Sequence, residues 1–275
     1  MDRPYLAKDL GDHWRTIYPE VTERYDELFY EAIEQMGQEP LKAERKLKKI
    51  IAACGNGHLN AILHLGLLFN DRNKPVEGNA LTTKAYLLAK EAIPADFIPG
   101  YDELLWSHFD NRAVLQSLWT FGIECQQAKD YERAIKEFNF CMRLNPRDDK
   151  GLRYLLLECY QELNKYEAIL ELEKEYEGDY SVDFYYGKVH ALWFAGKEAE
   201  AAAQLKAAKS TFPHVAAELL AEKHQFPFDE FEQPYFFEGT YPLGSRQEAN
   251  HYWMKTRQLW ESSPELIDFL KKYLR

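Results

Sequence analysis

One spacing constrains this chain more than any other. Two stretches match each other at a constant offset of 34 residues: Leu118 falls on Leu152, Phe121 on Leu155, Glu124-Cys125 on Glu158-Cys159, Gln127 on Gln161, Ala134-Ile135 on Ala168-Ile169 and Phe138 on Leu172. A single ruler that holds across both halves of a window marks an internal repeat. A repeat of this length is one supersecondary unit that cannot bury its apolar face alone, so neighbouring copies must stack.

The better copy reads Leu118-x2-Phe121-Gly122-x2-Cys125, then Ala134-x3-Phe138, then Pro146, with Lys129-Asp130-Tyr131-Glu132 between its two halves. This resembles the tetratricopeptide repeat family, whose unit is W-x2-L-G-x2-Y, A-x3-F and P in 34 residues. The residue types suit two antiparallel helices. Gly122 and Ala134 permit close approach, Phe121 and Phe138 fill the flanks, and Pro146 cannot continue a helix. Asp148 or Asp149 is then placed to cap the next one. The second copy replaces the small residue with Leu156 and has Gly178-Asp179 in place of the proline. A third copy runs from Asp183-x2-Tyr186-Gly187-x2-His190 through the turn Gly196-Lys197-Glu198 to Ala199-x3-Ala203, with Pro213 closing it late.

Upstream, Ile62-x2-Leu65-Gly66-x2-Phe69 reads as a first helix, followed by a long polar turn from Asn70 to Asn79 and then Ala85-x3-Ala89 and Pro94. Before it, Ala43-x3-Leu47 with Ile50 reads as a second helix ended by Gly55-Asn56-Gly57. Its partner is the stripe Tyr25, Leu28, Phe29, Ala32, Ile33 and Met36. The expected fold class is therefore all-α: an α-α superhelix, or solenoid, of tetratricopeptide-like hairpins with a C-terminal helical cap. The boundaries follow: 1–19 a lead-in, short helix or extended; 20–110 degenerate hairpins; 111–222 the repeats; 223–245 irregular; 246–275 capping helices. The irregular stretch is rich in aromatics, acids and prolines. It is expected either to pack on the array, to strap its groove or to anchor a partner. Ala249, Tyr252, Trp253, Thr256 and Trp260 restore helical spacing, and Pro264 opens a last helix.

Composition narrows the function. Hydrophobic residues make up 46% of the chain and charged residues 29%, which argues against disorder. The net charge of −11 opposes a phosphate backbone, and the cluster Lys42, Arg45, Lys46, Lys48, Lys49 alternates with Leu47, Ile50 and Ile51 like the wet face of a helix. No nucleic acid partner is expected. No stretch approaches the ~20 apolar residues of a membrane span, and the start of the chain does not read as a secretory signal. Cys54, Cys125, Cys141 and Cys159 form no C-x-x-C pair and are expected as reduced, buried thiols in a cytoplasmic protein.

Catalytic motifs are missing: no phosphate-binding loop, dinucleotide fingerprint, H-E-x-x-H or nucleophile elbow occurs. His58 and His64 are spaced poorly for one helix face, His190 stands where the repeat wants a core aromatic, and the acids from Glu171 to Asp179 read as a solvated face. The chain is expected not to be an enzyme and to take no cofactor and no metal. In the family, ligands lie against the first helix of each pair on the concave side. The resemblance implies a peptide-binding groove made of Gln116, Trp119, Ile123, Gln126 and Gln127, then Lys150, Arg153, Leu157, Tyr160 and Gln161, then Phe184, Lys188 and Leu192. The chaperone-clamping members carry Lys and Asn where this chain has Trp119 and Ile123, then Arg153 and Leu157, so no such clamp is implied. The expected function is a protein-interaction scaffold or adaptor holding a peptide or protein segment. The alternative is a structural subunit of a larger or homo-oligomeric assembly that uses the aromatic 226–241 segment. An enzyme with an unrecognised site is the remaining reading.

Overall fold

Short apolar stripes on a helical period build nearly everything in the computed structural model, which describes residues 2–11, 13–227 and 241–274. They form two units, Met1–Cys159 and Tyr160–Arg275. The fold class is all-α, a helical repeat whose helices pack one on the next in chain order within each unit.

The first unit opens with strands β1 (Tyr5–Lys8) and β2 (Trp14–Ile17), paired antiparallel with Leu6 opposite Thr16. The lead-in is thus extended, and one side chain completes its edge. Asn111 accepts from the Thr16 amide at 2.9 Å and donates to the Trp14 carbonyl at 3.0 Å, doing for the outer edge of β2 what a third strand would do. Helices α1 (Asp26–Gln35), α2 (Pro40–Cys54), α3 (Leu59–Asp71), α4 (Pro75–Ala92), α5 (Arg112–Gln127) and α6 (Tyr131–Leu144) follow. Helix α7 (Leu152–Glu162) carries the boundary between the units. Phe29 and Ala32 of α1 meet Ala43, Leu47 and Ile50 of α2 in one buried cluster, as the stripe predicts.

The second unit holds α8 (Tyr166–Glu175), α9 (Val182–Phe194), α10 (Glu198–Thr211), α11 (Pro213–Leu219), α12 (Arg246–Glu261) and α13 (Pro264–Leu274). Its core gathers Tyr186, Phe212, Tyr252, Trp253, Trp260 and Phe269.

Four of the turns between helices share one device. Asn73, Lys129, Asn164 and Gly196 all have positive φ, at 57°, 62°, 54° and 73°. In each case the next amide reaches back five residues: Lys74 to Phe69, Asp130 to Cys125, Lys165 to Tyr160 and Lys197 to Leu192, all at 2.9 Å. This is the Schellman closure of a helix, and the following helix begins one residue later. The polar stretch Asn70–Asn79, read as one long turn, is therefore mostly helix. The turn proper is Arg72 to Lys74, because Pro75 needs no amide partner in a helix's first turn. Pro213 is corrected on the same ground: it opens α11 and does not merely close α10. Asp148 does cap: its carboxylate accepts from the amides of Leu152 at 2.6 Å and Arg153 at 3.2 Å.

Two glycines set helix spacing in the first unit. A Cβ on Gly66 would lie 2.7 Å from Thr82 Cγ2 and 3.0 Å from the Gly78 carbonyl, and one on Gly122 would lie 2.6 Å from the Phe138 ring. Each allows an approach that no larger residue tolerates.

Candidate protein-interaction site

The inward face of α5 carries Ala113, Leu118, Phe121, Gly122 and Cys125, all buried. Gln116, Trp119, Ile123 and Gln126 recur three and four residues apart on another stripe and are half-buried. Trp119 lies against Trp106, ring centroids 5.0 Å apart and tilted 42°. Trp106 comes from the connection between α4 and α5, which is tied to the C-terminal end of α6: Gly100 donates to the Arg143 carbonyl at 2.9 Å and Leu104 to the Leu144 carbonyl at 2.7 Å. Two cations cover Trp106. Lys150 Nζ is 4.2 Å from a ring centroid, and the Arg112 guanidinium is 4.9 Å away and also 4.1 Å from Phe109. Arg112 Nε donates to the Trp106 carbonyl at 3.1 Å, fixing the guanidinium in place. Such contacts contribute about 0.5–2 kcal/mol each, more as water is removed.

The structure thus brings together Trp119 and Lys150 of the implied groove, through a residue that the repeat pattern does not cover. Trp106, Phe109 and Arg112 were missed because the connection has no period. Their only signal in the sequence is large rings beside an arginine, Trp106-x2-Phe109-x2-Arg112.

The other implied residues are differently placed. Gln126 Nε2 donates to Glu158 Oε2 at 2.8 Å. Arg153 pairs with the fully buried Asp148 carboxylate at 2.8 Å, donates to the Tyr154 hydroxyl and lies over its ring, so it is committed to the start of α7. Leu157 is buried, Gln161 is buried, and Gln127 is exposed. In the second unit Tyr160 is half-buried, while Leu192 and Phe184 are buried. Phe184 sits beside Tyr176, with centroids 6.3 Å apart, and so gives a partner almost no ring surface. Lys188 lies 3.5 Å from the buried Glu173 carboxylate. The aromatic 226–241 segment falls mostly on 228–240, outside the described residues.

The buried groups with shifted acidity are bound up in packing. Burial pushes the Glu173 carboxyl up to about 8 against the pull of Lys188. It holds His190 down to about 4, among the rings of Tyr166, Phe194 and Trp260. Tyr86 donates to Glu137 at 3.0 Å, and burial and that carboxylate raise its hydroxyl to about 12. Burial also raises Glu124, which accepts from Thr82 at 2.6 Å. His58 accepts the Ala61 amide as the cap of α3, and both His58 and His64 rest on the Phe29 ring, at 5.2 and 5.3 Å, despite their poor spacing on one helix. All four cysteines are buried, as expected, and none is joined to another in a disulfide. Among the described residues no group of three or more His, Cys, Asp or Glu could hold a metal, and no helix is long and apolar enough to cross a membrane.

The family model described as "Transcriptional repressor TCF25" matches residues 27–275. A solved structure of a tetratricopeptide repeat protein from Parabacteroides merdae ATCC 43184 is similar at 14% identity, covering 92% of this chain and 100% of that one, with a TM-score of 0.37. Among curated proteins none matches.

Proposed function

We propose that this chain, which belongs to the Tcf25 family, is a protein-interaction scaffold that binds a peptide or protein segment along α5 and the residues beside it, and that it is not an enzyme. The observation that carries the reading is the half-buried stripe Gln116, Trp119, Ile123 and Gln126, with Trp119 backed by Trp106. A large ring held rigid from behind loses little entropy when a partner covers it, which is how tryptophan becomes an anchor. The shared Schellman turns support taking the repeat as a divergent tetratricopeptide unit. Glu173, His190 and Tyr86, whose acidity is shifted far by burial, support binding over catalysis, since each is occupied by its own packing.

Capture of partners from native extract, with Trp119→Ala and Ile123→Glu compared with the unaltered chain, tests this. Loss of the same captured proteins with both variants is expected. Undiminished capture with both overturns the reading. The family's description brings a further element: the bound segment would belong to an assembly that represses transcription. The four buried thiols fit a reducing compartment, cytoplasm and nucleus alike; the proposed placement is the cytoplasm, and fractionation that finds the chain only in nuclei, as the family's description would suggest, displaces it.

A further inference from the structure

The geometry points to an acidic peptide that also carries an aromatic or branched apolar side chain as the occupant of the surface formed by Trp106, Phe109, Arg112 and Lys150, an inference that rests on the interaction reading above. The chain carries a net charge of −11, yet residues 143–153 hold Arg143, Arg147, Lys150 and Arg153 against only Asp148 and Asp149. Asp148 is consumed by Arg153 and by the first amides of α7. Among the described residues Arg112, Arg143, Arg147 and Lys150 have no carboxylate within ion-pair distance. Cations that natural surfaces leave unpaired in a strongly acidic chain are the local opposite of its overall field, and they attract what the remainder repels.

Two of these cations are held, not free to wander. Lys150 and Arg112 rest on the Trp106 ring, so part of their hydration is already gone and their positions are set before a partner arrives. A carboxylate arriving there completes a charge-assisted contact. The apolar half of the partner has its counterpart too. Phe109 is 72% exposed, and on the same connection Tyr101 is 83% and Ile98 58% exposed. The Gly100 bond to the Arg143 carbonyl draws that connection alongside the basic end of α6. Exposed rings beside unpaired cations fit a segment in which acids alternate with apolar residues. Nucleic acid fits less well. Glu103 and Asp149, both exposed, interrupt the basic surface, and an evenly charged phosphate chain cannot avoid them as a peptide with spaced carboxylates can.

The test uses the full chain and fluorescence anisotropy with a labelled peptide of alternating Glu and Phe residues. Saturable binding is expected, weakened on the order of tenfold by Lys150→Glu and by Arg147→Glu and weakened by Phe109→Ala. All three changed side chains are exposed, and unchanged circular dichroism confirms that the variants are folded. No saturable binding overturns the inference. So does binding indifferent to the three substitutions, equal binding of a Glu-Ala peptide, or equal binding of a uridine oligonucleotide. The two readings fail separately. If extract partners are lost with Ile123→Glu while the probe peptide does not bind, the scaffold stands and the acidic-peptide inference falls. If the probe binds through Lys150 while capture ignores Ile123→Glu and Trp119→Ala, the α5 stripe falls and this surface stands.

Discussion

The two units share one way of reversing the chain, at two turns in each, and fill their interiors differently. The turns at Asn73 and Lys129 in the first unit and at Asn164 and Gly196 in the second share a positive φ and a 2.9 Å amide bond reaching back five residues. Inside, the first unit relies on closeness. Gly66 admits Thr82 and the Gly78 backbone, and Gly122 admits the Phe138 ring. The second relies on bulk, with Tyr186, Phe212, Tyr252 and Trp260 meeting in one cluster. The difference teaches that this repeat is defined by its backbone turn, and that the filling between helices is exchangeable as long as each pair stays covered.

The sharpest way to break that comparison is to empty the second unit. Trp260 is fully buried and touches the rings of Tyr186 and His190. Trp260→Ala is expected to cost about 3–5 kcal/mol, seen as lost hydrogen-exchange protection confined to residues 182–274. Loss spread equally over both units would contradict it. The matching change in the first unit is Gly66→Ala. Alanine gains helix propensity, but the added methyl meets backbone that cannot step aside, so a net loss of about 2 kcal/mol is expected in urea unfolding. Gly122→Ala should cost less, because its neighbour is a side-chain ring that can rotate.

What could be read beforehand follows the same division. The helices between 26 and 71 and between 112 and 211 were legible because their apolar residues keep helical time, and two turns because Lys129-Asp130 and Gly196-Lys197 are short polar breaks between two such stripes; in the third copy the buried pair is Ala201 and Leu205, two residues beyond the Ala199 and Ala203 that the pattern offered. The turn at Asn73 was hidden inside a polar stretch: polarity marks an exposed face as readily as a loop. The β-hairpin was hidden because its outer strand is held by Asn111, a residue far along the chain, and nothing local announces that pairing. For the candidate site the pattern supplied Trp119 and Lys150 but not Trp106, which lies where no period runs. It also offered Phe184, whose position in the repeat is outward but whose ring is drawn in beside Tyr176.

Two buried groups sharpen the comparison by pH. Glu173 has its folded-state acidity raised to about 8 from 4.5, so the folded chain keeps its proton where the unfolded chain has released it. Its contribution to stability is therefore full below pH 4.5 and lost as pH rises to 8. Glu173→Gln removes that dependence, and the variant's advantage over the unaltered chain should grow steadily across this window. His190 has the opposite sense. Its folded value is near 4 against 6.5, so protonation of the unfolded chain erodes stability as pH falls from 6.5 to 4, and His190→Leu should abolish that slope. Thermal melts across pH 4 to 9 that keep both slopes in the variants would remove these residues from the account.

The smallest expected effect tests the shared turn itself. Lys129 takes a left-handed conformation that costs a residue with a Cβ about 1 kcal/mol, whereas Gly196 holds the equivalent place without strain. Lys129→Gly should therefore stabilise the chain by about 0.5–1 kcal/mol, because relief of strain outweighs the extra freedom glycine brings to the unfolded state. Asn164→Gly should gain less, since asparagine tolerates that region better than lysine. Gly196→Ala should lose about as much as Lys129→Gly gains. If denaturant midpoints moved the same way for Lys129→Gly and Gly196→Ala, the two turns would not be one device, and the hairpins on either side of the unit boundary would owe their likeness to helix length alone.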